Sequence, residues 1–171
     1  MKKFIVGMIL LVALSSAALA DDTKSAMAND PAYAVIKKMA GGVWHTKVGD
    51  AEVESHWTYG PDGTSLLADT IVDPHGKNPV HLMARFGWDA AAKQIYYLDA
   101  HGIDTIYFGH VSMDGKDVVM KFNGLVGDTG NNYVFRISFA NDDAFQATLS
   151  TADGAKPGTV VEHFDWSRTR D

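Results

Sequence analysis

Cysteine is absent from this sequence of 171 residues. No disulfide can therefore brace the fold, and no thiolate is available as a nucleophile or soft metal ligand. The same absence excludes a lipid anchor on an N-terminal cysteine. A basic excess is missing too: 15 Lys and Arg stand against 21 Asp and Glu, a net charge of −6. Nucleic-acid binders carry a basic stripe, so no nucleic-acid partner is expected. The chain has no G-x-S-x-G nucleophile elbow, no P-loop and no G-x-G-x-x-G after a strand. Its histidines never fall at the H-x-H or H-x-x-x-H spacing of a zinc site, so neither a metal nor a cofactor is expected.

One long apolar run is present, at the start. Lys2 and Lys3 precede a stretch from Phe4 to Leu14, and the small residues that follow end in Ala18-Leu19-Ala20, an A-x-A pattern. The run is too short to span a bilayer, and Asp21-Asp22 come at once after it. Residues 1–20 thus read as a signal peptide cleaved after Ala20. That sends the chain to the periplasm or the medium, with no stable membrane insertion afterwards. Residues 21–29 are polar and small and predict a disordered lead-in. Residues 30–171 are the length of a single domain, expected to be monomeric, and about 150 residues can bury roughly two thirds of their unfolded surface.

Asn29 or Asp30 is a suitable N-cap, with Pro31 at the first helical position, where its missing N–H costs nothing. Ala32, Val35, Ile36 and Met39 then fall at helical spacing, and Gly41 can take the left-handed conformation that ends a helix. One short helix follows from this, too short to stand alone, so it must dock on something. From Gly42 onward the period switches from 3.6 to 2. Ten strands are predicted at 43–49, 51–60, 64–73, 79–88, 93–100, 103–112, 116–126, 131–140, 144–151 and 159–169, separated by Gly, Asp, Asn and Pro turns. Tyr133, Phe135, Ile137 and Phe139 alternate with Asn132, Val134, Arg136 and Ser138, which gives one buried and one wet face. Connections this short leave no room for crossovers. The expected fold is all-β: an antiparallel up-and-down meander barrel of about ten strands, capped by the helix, in preference to a two-sheet sandwich.

Gly42-Val43-Trp44 is a G-x-W triplet entering the first strand after a short helix, and the last strand carries Trp166-Ser167-Arg168. This pattern resembles the calycin superfamily, and within it bacterial secreted lipocalin-like proteins of unassigned function. The resemblance implies that Trp44 plugs the closed end of the barrel under the side chain of Arg168, with Arg170 as the other candidate. A guanidinium over an indole face contributes roughly 0.5–2 kcal/mol. The T-D-Y triplet of animal lipocalins is absent. Trp44-His45-Thr46-Lys47 also lacks the further glycines of nitrobindin-like haem binders, so haem is not implied.

Trp57, Tyr59, Phe86, Tyr97, Tyr107, Phe122 and Phe135 all fall in predicted strands. They are the expected lining of a pocket for a small apolar or aromatic molecule, because a ten-stranded interior is hard to fill with side chains alone. A barrel packed solid by the same aromatics, serving an envelope interaction or stress role, is the alternative. An enzyme reading, a calycin-type lyase or isomerase, would use Asp99, His101 and Tyr107 around the hairpin between strands five and six, with Asp104 beside them. Asp and His are also ordinary turn residues. Arg85, Lys121 and Arg136 are expected to point outward, as is His81 in the row with Met83 and Arg85. Any functional site is expected at the mouth opposite Trp44, near the turns about Pro61, His75 or His101.

Overall fold

The computed structural model describes residues 22–102, 104–153 and 156–170. The expected signal peptide, residues 1–20, lies outside them. Residues 22–29 form a first helix, α1. After it come α2 (Pro31–Ile36), a tight helical turn (Lys37–Met39), and ten strands: β1 (Val43–Val48), β2 (Ala51–Tyr59), β3 (Leu66–Val72), β4 (Val80–Asp89), β5 (Gln94–His101), β6 (Thr105–Asp114), β7 (Asp117–Val126), β8 (Asn132–Asn141), β9 (Ala144–Asp153) and β10 (Lys156–Thr169). Each strand pairs antiparallel with the next, and β1 pairs with β10, so the sheet closes into a barrel rather than splitting into a sandwich.

Two corrections arise at the N-terminus. Residues 22–29 of the segment expected to be a disordered lead-in are helical, and there are two α-helices where one helix was expected. The cause is Met27, which α1 buries in the core cluster beside Ile36 and Met39. One buried methionine supplies an anchor that polar composition conceals. The second helix starts as its cap requires: Asp30 accepts a 2.8 Å hydrogen bond from the Ala32 amide, and Pro31 opens the helix.

Because neighbouring strands run in opposite directions, the turns alternate between the two ends. One end holds the helices, the β2–β3 turn and the start of β1. There Trp44 is fully buried, at 0% exposure, and its indole N–H donates to the Met39 carbonyl at 2.8 Å. Trp44 stands opposite Arg168 in the β1–β10 register, and the guanidinium carbon lies 4.6 Å from the indole centroid. The same guanidinium donates to the carbonyls of Lys38, Ala40, Gly41 and Asp142, and pairs with Asp143. It thereby satisfies carbonyls left over where the helical turn ends. Gly42 is required by this packing: its φ is +70°, and a Cβ there would sit 2.5 Å from the Thr169 carbonyl oxygen. Arg170 pairs with Asp143 as well, but from an exposed position.

The β1–β10 seam is short. Only Val43, Trp44 and His45 of β1 find partners on β10, whereas six residues of β1 pair with β2. Beyond His45 the two strands separate. An outward groove of about 460 Å³ opens there between residues that include His45, Lys47, Glu54, His163 and Asp165.

Candidate functional site

Period-2 alternation places one row of each strand inside. The rows do not meet at the centre: they surround a cavity of about 370 Å³. The interior is therefore not packed solid. Trp57, Phe86, Tyr97, Tyr107, Phe122 and Phe135 line it, six of the seven residues expected to do so. Tyr59 does not. It is the last residue of β2, two positions past Trp57, beyond the level where the Gly41 amide meets the Trp57 carbonyl, and it stands 51% exposed at the closed end.

The aromatic rings form a connected belt. Trp57 stacks on Phe86 with centroids 5.4 Å apart, Phe86 meets Tyr97 at 5.3 Å, and Tyr97 meets Phe122 at 5.6 Å. Phe122 in turn touches Tyr107 edge-on and stacks on Tyr133. Met39, from the helical turn, and Trp166 help close the inner end. At the other end β1, β4 and β7 begin or end in the exposed aliphatic residues Val48, Val80 and Val126, and Val161 of β10 joins Val48 in the lining. An apolar solute thus meets an apolar rim before it reaches the aromatic belt.

Polar groups gather on one wall near this mouth. Asp99 and His101, at the end of β5, share the inward row with Tyr97, and Tyr107 stands opposite Asp99 across the β5–β6 ladder. Tyr97 donates its hydroxyl to Asp99 Oδ2 at 2.8 Å, and His101 Nε2 lies 3.0 Å from the same oxygen. The His101 and Tyr107 rings meet edge to face at 5.2 Å. Asp104 is not among the lining residues. Sequence reasoning missed the second carboxylate, Asp128. It lies in the β7–β8 connection and accepts from the hydroxyls of Tyr107 at 3.2 Å and Tyr133 at 2.7 Å. Its only signal was an aspartate in a Gly- and Asn-rich turn, which is equally ordinary turn chemistry.

These contacts set the protonation states. The hydrogen bond to Asp99 holds the His101 imidazole above its ordinary 6.5, against the opposing effect of burial. Burial, then the charge of Asp99, pushes the Tyr97 hydroxyl well above 10. Tyr107 is raised by burial and by Asp128, and the hydrogen bond to Asp128 lifts Tyr133 to about 12. Asp128 is held below the usual carboxylate range by the Asn131 amide and the Tyr133 hydroxyl. All three tyrosines thus stay neutral at physiological pH. Across the cavity, the Ser55 and Thr70 hydroxyls are hydrogen-bonded to each other at 2.7 Å.

The mouth is also where the turns containing His75 and Gly102 lie. The Pro61 turn is not there: it joins β2 to β3 and so falls at the closed end, beside Trp44. Arg136 and Arg85 point outward as expected, Arg136 to Asp114 and Asp117, Arg85 to Asp62. The exposed His81 ring stands 3.5 Å from Asp69. Among the described residues no cluster of three or more His, Asp or Glu side chains has the arrangement of a metal site. Compared with protein-family models and with curated proteins, the sequence gives no match.

Proposed function

We propose that this chain is an exported, lipocalin-like binding protein that holds a small, largely apolar or aromatic molecule inside its barrel. The observation that carries the reading is the cavity of about 370 Å³, open at one mouth and walled by a belt of aromatic rings. Small-molecule sites occupy roughly 300–1,000 Å³ and combine apolar walls with a few placed polar groups. Affinity would come from apolar burial at about 25 cal/mol per Å². The calycin resemblance and the N-terminal apolar run supply the lipocalin-like and exported parts of the proposal.

The test is titration with a neutral probe, ethylindole. Saturable binding at one site is expected, and Ala84→Trp, which fills the cavity from its wall, should abolish that binding while the variant stays folded. Failure of the wild-type chain to bind this probe or any charged indole of the same size, or undiminished ethylindole binding by the variant, would overturn the proposal.

A second reading rests on the convergence of Asp99, His101 and Tyr107 on the cavity. A histidine oriented by a carboxylate at the edge of a pocket is a competent proton carrier. In that reading the chain is a lyase or isomerase acting on the same class of molecule.

A further inference from the structure

The polar wall is one-sided in its chemistry. Among the residues lining the cavity, none is Lys or Arg, and the one carboxylate is Asp99. Most hydrogens on that wall are already committed, the exception being the Nδ1–H of His101 when its imidazole is protonated. Tyr97 and His101 both direct theirs to Asp99 Oδ2, and Tyr107 and Tyr133 direct theirs to Asp128 Oδ2. What these bonds leave uncommitted is acceptor capacity: Asp99 Oδ1 and the lone pairs of the phenol oxygens. Ser55 and Thr70 share one hydrogen bond, which commits one of their two hydroxyl hydrogens. The polar wall thus offers mainly acceptors, while the donors elsewhere on the lining are the indole N–H groups of Trp57 and Trp166 and one hydroxyl of the Ser55–Thr70 pair.

The walls beside these acceptors are ring faces. Tyr97, Tyr107, Phe122 and Tyr133 are in mutual contact within the belt, and a cation is drawn to such faces by the ring quadrupole. Asp128 stands behind two of these tyrosines and makes their oxygens more negative. An anionic ligand would find no fixed cation except His101, whose Nε2 is already turned to Asp99.

Resting on the ligand-binding reading above, we infer that the occupant is an organic cation. It is an amine with a flat apolar body, its ammonium group seated at Asp99 and its body on the aromatic belt. Charge-assisted hydrogen bonds are about twice as strong as neutral ones, so the carboxylate is the main discriminator.

The experiment compares three probes that share an indole body: tryptamine, indolepropionate and ethylindole, titrated calorimetrically into the wild-type chain at neutral pH. Tryptamine is expected to bind at least about tenfold more tightly than indolepropionate. In Asp99→Asn the preference for tryptamine over ethylindole should fall by about tenfold. Equal affinities across the three, or preference for indolepropionate, would overturn the cation inference and leave the pocket standing. Binding of none of them would remove the ligand-binding reading itself. The wild-type comparison decides the matter even if the variant does not fold.

Discussion

Trp44 is the residue on which the closed end depends. It has no exposed surface, its indole N–H is satisfied by Met39, and its upper face is covered by a guanidinium whose side chain is 3% exposed. Trp44→Ala should therefore destabilise the fold by about 3–5 kcal/mol, as large aromatic truncations do. Denaturant unfolding reads this directly, and an unchanged midpoint would show that the tryptophan is not the plug. His101 offers a second test at this scale. Its folded value is raised by Asp99, so the protonated pair adds stability that is complete below the ordinary 6.5 and fades as pH rises through the folded value. His101→Asn should thus lose more stability relative to wild type at about pH 5.5 than at about pH 8.5. A deficit that is larger at the alkaline end would contradict the pairing.

Elements differ in how firmly they are held. The β6–β7 ladder runs the length of both strands, while β1 meets β10 at three positions only. Hydrogen exchange should therefore be faster along Thr46–Val48 and Val160–Trp166 than along β6 and β7. Equal protection would mean that the seam is closed in solution. The lengths and order of the strands were legible in the sequence because alternation and turn residues are local signals. The helix at 22–29 was not, because its single anchor, Met27, acts through a tertiary contact. Tyr59 shows the limit of periodicity: alternation gives the face of a residue but not its height along the barrel. The Pro61 turn was misplaced although counting was enough to place it. In a meander the β1–β2 turn lies at the mouth, so the β2–β3 turn lies at the floor.

At the scale of the whole molecule, closure of ten strands does two things at once. It removes the sheet edges, apart from the seam, and it makes an interior wider than the side chains fill. The aromatic lining was legible because apolar rows must face inward. The polar wall was legible only in part: Asp99, His101 and Tyr107 share rows that the register aligns, whereas Asp128 reaches them from a loop. Among the described residues no helix is long and apolar enough to cross a membrane. The central claim is that the interior is a binding site, and methyl NMR during the ethylindole titration tests it most directly. Shifts should concentrate on inward methyls such as Val53, Leu82, Ile137 and Leu149, leave the outward Met83 unmoved, and vanish in Ala84→Trp. Shifts confined to the outer surface, or none at all, would contradict the account.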